Sequence, residues 1–260
     1  MMKMRMSFGS MKSIFFSAFF ALPTFLFSTS PMLADILEIE NFGHSSILIR
    51  DEKHSVLLNP FRAVGCASGL VEKNIAADII LASSLLPDEG AKTADGIFFV
   101  KPGSYRIQDL KLEGFSSPHD RLGGRRFGMS TLWRWEQNGL TFAHLGGAAS
   151  PLTSQERLLI GKPDILFIAV GGGAKVYNAQ EAANVVELLK PKIVIPVQYQ
   201  RKGKDKISSC DQQGVQPFLD KIKDYKVRKV GKKHTLKKRI SNKYSLKKQI
   251  SKDQFIFLMD

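Results

Sequence analysis

Histidine is scarce in this chain, five in 260 residues, and cysteine scarcer, with Cys66 and Cys210 alone and 144 positions apart. Two cysteines exclude a disulfide-built scaffold and a cysteine-rich metal cluster. No Gly-x-Ser-x-Gly segment is present, so the usual strand-to-helix serine nucleophile is missing. Gly171-Gly172-Gly173-Ala174-Lys175 lacks the spacing of a phosphate-binding loop and has no Ser or Thr after the lysine. There is no internal repeat and no low-complexity tract beyond a lysine-rich tail. Acidic residues are outnumbered, 24 against 38 Lys and Arg, but not evenly. From Gln200 to Asp260 there are 18 cations and 6 anions, whereas residues 35–199 are close to neutral. The basicity therefore belongs to the C-terminal quarter, and pI says nothing about the body of the protein. Such a stretch suits an anionic membrane surface or stands as a solvated lysine face; nucleic acid is a poor fit for an exported chain.

Export is expected from the first 34 residues. Lys3, Arg5 and Lys12 precede an apolar run from Ile14 to Phe27, and Ser28-Thr29-Ser30-Pro31-Met32-Leu33-Ala34 follows. This is the charged, apolar and small-residue order of a secretory signal, with Met1 or Met11 as start and cleavage after Ala34, or else an uncleaved anchor. Export leaves Cys66 and Cys210 either paired or as two separate thiols. The remaining chain, 35–260, is 43% hydrophobic over the whole sequence and long enough for one large core.

Along it, Ile36–Ile39, Ser46–Ile49, Ser55–Leu58, Asp78–Leu81, Ile97–Val100, Asp109–Phe115, Ser130–Trp135 and Leu140–His144 read as strands. Arg50-Asp51-Glu52-Lys53 and Glu136-Gln137-Asn138-Gly139 read as hairpin turns, the second marked by Asn-Gly. Asp164–Val170 is a buried strand. A helix then begins at Asn178, with Glu181 three residues on as in a capping box, an apolar stripe of Ala182, Val185, Val186 and Leu189, and a stop at Pro191. Ile193–Val197 completes a strand–helix–strand unit. Gln216–Asp224 reads as a helix, and Lys226–Val230 and Phe255–Leu258 as strands. Periodicity alone gives a mixed α/β chain.

Five segments go further. Gly43-His44-Ser45-Ser46-Ile47-Leu48-Ile49, Leu57-Leu58-Asn59-Pro60-Phe61, Asp78-Ile79-Ile80-Leu81-Ala82-Ser83, His144-Leu145-Gly146-Gly147 and Val194-Ile195-Pro196-Val197-Gln198-Tyr199 resemble the metallo-β-lactamase-fold superfamily, most of all its lactonase-like and uncharacterised hydrolase branch. The resemblance implies a four-layer αββα sandwich in a single domain. It also implies a site where histidines and carboxylates hold one or two Zn²⁺ ions that activate water.

The ligand positions are mostly replaced. The His-x-His-x-Asp-His cluster of such proteins falls on Ala82-Ser83-Ser84-Leu85-Leu86-Pro87-Asp88-Glu89-Gly90, where Ser83 and Leu85 stand for histidines and Asp88 or Glu89 for the acid. His119, in Ser116-Ser117-Pro118-His119-Asp120, fits the next ligand and is the best surviving metal candidate; read blandly, it is a loop histidine bonded to Asp120. The bridging aspartate falls on the Gly146-Gly147 turn, behind His144. The last histidine falls on Gln198, whose amide binds Zn²⁺ poorly. His44 matches a non-ligating position, and His54 and His234 have no such context. Arg121, Arg125 and Arg126, with Gly123-Gly124, form a basic loop beside His119, suited to an anionic ligand or to solvent. The amides of Gly171–Gly173 suit an anion or a plain turn.

Three functions follow as expectations. One is an exported, non-catalytic relative whose cleft binds a small anionic molecule or a partner protein, with no cofactor. The second is a hydrolase of ester, lactone or phosphoester type with an altered site built from Asp88, Glu89, His119, His144 and Gln198, and zinc only in that case. The third is a basic surface protein engaging anionic membrane.

Overall fold

Two twisted sheets pack face to face in a computed structural model that describes residues 36–201, 210–237 and 253–259. The expected leader, 1–34, and two stretches of the lysine-rich tail, 202–209 and 238–252, lie outside these residues. The first sheet is built from β1 (Ile36–Gly43), β2 (Ser46–Arg50), β3 (Ser55–Leu58), β4 (Ala76–Leu81) and β5 (Asp95–Phe99), with β13 (Lys233–Lys237) beside β1. The second takes β6 (Gly103–Ile107), β7 (Leu110–Pro118), β8 (Met129–Gln137), β9 (Leu140–His144), β10 (Ile165–Ala169), β11 (Ile193–Val197), β14 (Phe255–Met259) and β12 (Lys226–Val230), in the order 12-14-11-10-9-8-7-6.

Hairpins make the antiparallel half. Asn138 and Gly139 both adopt positive φ (50° and 67°), as a tight β8–β9 turn requires. Asp51 Oδ1 accepts from the amides of Lys53 and His54 in the β2–β3 turn. Strands β9, β10, β11 and β14 are parallel, so their C-terminal ends open at one rim. Between β10 and β11 lies α2 (Ala179–Leu189). Asn178 Oδ1 caps it by accepting from Gln180 and Glu181, and Glu181 returns the bond to the Asn178 amide, which is the expected capping box.

The core lies between the sheets. Leu37, Ile39, Ile49, Val56 and Ile79 of the first meet Trp133, Trp135, Phe142, Phe167, Ile195 and Phe257 of the second. Each fully buried aliphatic side chain contributes about 1.5–3 kcal/mol. On the outer face of the second sheet, Leu166, Ile168, Val194 and Ile256 pack under α1 (Ser154–Ile160), α2 and α3 (Gln216–Leu219). The outer face of the first sheet is a smaller cluster of Leu48, Leu57, Ala77 and Ile80, and none of the three α-helices among the described residues packs on it.

Sequence periodicity overlooked three elements. β6 and β13 are edge strands, short and largely polar, whose ladders rather than whose patterns define them. α1 carries a full capping box, Thr153 with Glu156, which the Thr-x-x-Glu spacing announces. The helix expected over Gln216–Asp224 is helical only to Leu219. A turn at Asp220–Lys221 ends it, with Ile222 buried beyond. Lys226, Arg228 and Lys229 stand exposed on edge strand β12, where cations discourage pairing with another chain's edge. Part of the C-terminal basicity therefore protects sheet edges.

Candidate functional site

The loops leaving β4, β7, β9, β10 and β11 converge at the rim where the parallel strands end. Three non-glycine residues there hold left-handed backbone, His44 (φ 51°), Asn59 (φ 40°) and Gln198 (φ 49°). Such conformations persist only where the surroundings impose them. The β4 loop is locked across the sandwich, since Trp133 Nε1 donates to Ala82 O (2.9 Å) and the Thr131 amide to Ser83 O (2.7 Å). Ser83, standing for the first histidine, is held by Asn59, which accepts from the Ser83 amide (2.8 Å) and lies 2.9 Å from its Oγ through Nδ2. Leu85, standing for the second, points outward and is 65% exposed.

Glu89 is the centre. Its carboxylate is wholly buried. Oε1 accepts from Ser84 Oγ (2.9 Å) and from His119 Nε2, while Oε2 accepts from Gln198 Nε2 (2.9 Å). Burial by itself would raise this carboxyl, but His119, Lys175 and Gln198 together outweigh it and hold it at about 2. His119 faces acceptors on both sides, because Nδ1 meets Lys175 O at 3.2 Å. Two acceptors require two ring protons, so His119 is an imidazolium. Its pKa is raised accordingly, burial opposing and the Glu89 charge prevailing. Asp88, also buried, pairs with Lys175 Nζ at 2.5 Å, and His44 Nε2 lies 4.0 Å from the same oxygen. The Gln198 amide also approaches His44 Nε2 at 3.2 Å, which makes that nitrogen an acceptor and His44 neutral. Burial lowers the pKa of His44 in the same sense.

Two carboxylates and two cations thus form a closed, internally neutral quartet: Glu89 with His119, Asp88 with Lys175. Lys175 alone of the four reaches solvent, its side chain 24% exposed beside the Phe127 ring. His144 lies behind, buried against Phe167, with neither ring nitrogen hydrogen-bonded, and burial holds it down to about 4. Gln198 Oε1 is likewise buried without a partner.

The residues present do not fit a zinc centre of the family type. A Cβ built on Gly147 would overlap the Cε1 and Nε2 atoms of His119 and come within 2.9 Å of Glu89 Oε1. One on Gly146 would overlap Ser83. The space of a bridging carboxylate is filled by the ion pair itself. Metal binding would have to displace a proton from His119 and free Asp88 and Glu89 from their ion pairs.

Of the remaining expected residues, Arg121 lies at the surface with its guanidinium fully engaged. It donates to Glu181 through Nε (2.9 Å) and Nη2 (2.5 Å), to Gly173 O (2.6 Å) and to Val176 O (3.0 Å), tying the β7 loop to α2. Arg125 and Arg126 are exposed, the latter 4.8 Å above Phe127. Asp120 does not pair with His119. Burial works to raise its carboxyl, but the amides of Phe127, Arg126, Leu122 and Gly124 hold it at about 2 and fold the loop around it. The Gly171–Lys175 turn does meet an anion, the chain's own Asp211, whose Oδ2 accepts from the Ala174 amide at 2.8 Å. Asp211 is delivered by the Cys66–Cys210 disulfide, which the structure contains and the sequence left open. Sequence reasoning missed Lys175 as a site residue, and no local signal marks it.

Comparison with known proteins agrees with this architecture. A family model described as a β-lactamase superfamily domain matches residues 38–198. A UPF0173 metal-dependent hydrolase of Thermus thermophilus is 23% identical over 192 residues, covering 63% of this chain and 84% of its own. Among solved structures, a candidate Zn-dependent hydrolase of the metallo-β-lactamase superfamily from Thermotoga maritima superposes with a TM-score of 0.65 at 22% identity, over 86% of this chain and 98% of the other. An isothiocyanate hydrolase from Delia radicum gut bacteria reaches 0.54 at 12% identity, over 85% and 95%.

Proposed function

This chain belongs to the β-lactamase superfamily of domains and has the metallo-β-lactamase fold, and from that premise we propose that it is an exported binding protein in which a buried ion-pair cluster replaces the metal centre. The observation that carries the reading is the space beside Gly147. The His119–Glu89 pair fills it, and Lys175 neutralises the second carboxylate, Asp88. Two divalent charges are exchanged for two monovalent side-chain cations, which hold the loops together but generate no hydroxide.

The surface over the cluster supports binding. Leu85, Leu122 and Met129 are exposed there, with Arg125 and Arg126 on the same β7 loop as Leu122. Of the quartet beneath, Lys175 has the most exposed side chain, so the ligand that suits this face is an anionic one lying across it, either a small molecule or an acidic segment of a partner. The N-terminal charged-then-apolar order and the Cys66–Cys210 bond both support export into an oxidising compartment.

The test is elemental mass spectrometry of the purified chain after exposure to zinc and manganese and desalting. The expected result is no stoichiometric metal in a folded protein. About one retained ion per chain would overturn the reading in favour of a hydrolase with an altered site. The unpartnered nitrogens of His144 and Oε1 of Gln198 are what favour that second reading. Under it, His119→Ala abolishes hydrolysis of ester, lactone and phosphoester substrates.

A further inference from the structure

At the end of the fold opposite the cluster, α1 and the last turn of α2 border an open groove of about 520 Å³. Its composition follows from helix geometry. Leu158, Leu159 and Ile160 are consecutive, and at 100° per residue only one of three can face the sheet. Ile160 takes that place and is buried, which leaves Leu158 82% and Leu159 42% exposed. On α2 the sheet takes Val185, Val186 and Leu189, and Leu188 is left outside, also 42% exposed. Single exposed leucines are ordinary, but Leu158 and Leu188 line one groove from adjoining helices. Arg157, Lys162 and Lys190 line the same groove, and no carboxylate does.

We propose that this groove docks the protein on an anionic lipid bilayer, with Leu158 and Leu188 at the acyl boundary and Arg157, Lys162 and Lys190 on the headgroup phosphates. Leucines in a groove whose only charged lining residues are cations complement that interface in both apolarity and charge. An apolar protein partner would have no use for three unpaired cations.

The path of the chain agrees. Lys162 leads into Asp164, whose carboxylate accepts from the Thr141 amide at 2.9 Å. Thr141 stands two residues after Gly139 of the β8–β9 turn, and that turn borders the same cavity as Ile36. Ile36, the first described residue, therefore lies at the groove's end of the sandwich. With this end on the bilayer, the face over Lys175 looks away from it. The proposal stands whether or not the cluster binds metal.

The experiment is flotation of the full chain with phosphatidylcholine vesicles, with and without phosphatidylglycerol, at two salt concentrations. Binding is expected on the anionic vesicles only. Leu158→Gln with Leu188→Gln should weaken it by about tenfold or more, given the apolar area withdrawn. Arg157→Gln with Lys162→Gln and Lys190→Gln should weaken it by about a hundredfold, at about 1 kcal/mol per cation. Leu85→Gln, equally outward-facing at the other end, should leave it unchanged. Native Trp133 and Trp135 are buried, so a Leu158→Trp reporter is readable against them and should shift to the blue on anionic vesicles. These positions are exposed, and near-ultraviolet dichroism of the two native tryptophans verifies that each variant folds. Binding that persists in the groove variants, or Leu158→Trp emission that does not move, overturns the proposal and assigns lipid contact to the lysine-rich tail or the N-terminal run. A dimer in lipid-free solution that is lost with Leu158→Gln would also overturn it, in favour of a second copy of the chain.

Discussion

His119 Nε2 donates to Glu89 Oε1 in a pocket where neither side chain has any exposed surface. A buried pair of this kind adds little net stability over an apolar filling, because both charges have been taken out of water. It is expensive to break, however, since a lone buried charge remains. That asymmetry makes the cluster testable.

Gly147→Asp places a carboxylate in the turn against which the family resemblance sets a bridging aspartate, yet it should not confer zinc binding. Its Cβ falls inside the His119 ring, and the variant should lose about 1–3 kcal/mol in urea unfolding through overpacking alone. His119→Ala alone should cost about 3–5 kcal/mol by stranding Glu89. The double variant should recover part of the sum, because the alanine vacates the space the new side chain needs. Strict additivity of the two losses would show that Gly147 and the His119–Glu89 pair do not share that space.

Stability should peak near neutral pH, with its steeper limb on the acid side. His144 is held at about 4, so between about 4 and 6.5 the unfolded chain takes up a proton there that the folded one refuses, at about 1.4 kcal/mol per pH unit as pH falls. His44, lowered by burial, acts in the same direction. Glu89, at about 2 rather than 4.5, adds a further loss below pH 4.5. His119 has the opposite sign. Its pKa is raised, so its contribution is complete below 6.5 and fades as pH rises through its folded value. His144→Leu removes two unpartnered nitrogens and should raise neutral-pH stability by about 1–2 kcal/mol while flattening the acid limb. An acid limb of unchanged slope in that variant would remove His144 as its source.

Reduction of Cys66–Cys210 should lower stability by about 3–5 kcal/mol, since the bond spans 144 residues of chain. The loss should be accompanied by faster amide exchange over Gly171–Lys175, which Asp211 and Gln213 anchor through Ala174 N and Gly171 O. Urea curves with and without a dithiol measure the first, and exchange mass spectrometry the second. An unmoved midpoint together with unmoved exchange would mean that the 210–213 segment holds without its covalent tether.

The amino-acid sequence by itself determined whatever depends on neighbours along the chain. Alternating and continuous apolar runs specified β1 to β5 and β7 to β11, Asn138-Gly139 the hairpin, and Asn178 with Glu181 the start of α2, because dihedral preference and capping act over a few residues. Its resemblance to the family also set Ser83, Leu85, the Gly146-Gly147 turn and Gln198 against ligand positions, which is legible in order and spacing along the chain. Only the tertiary structure decided which carboxylate meets which cation. His119 reaches back 30 positions to Glu89 and Lys175 back 87 to Asp88, and Cys66 finds Cys210 across 144. Arg121, legible as a free basic residue, is tied at the surface to Glu181, 60 positions away. No local pattern encodes such meetings. They arise because parallel strands deliver distant loops to one rim, where burial removes water and leaves each charge no partner but the one the fold has brought.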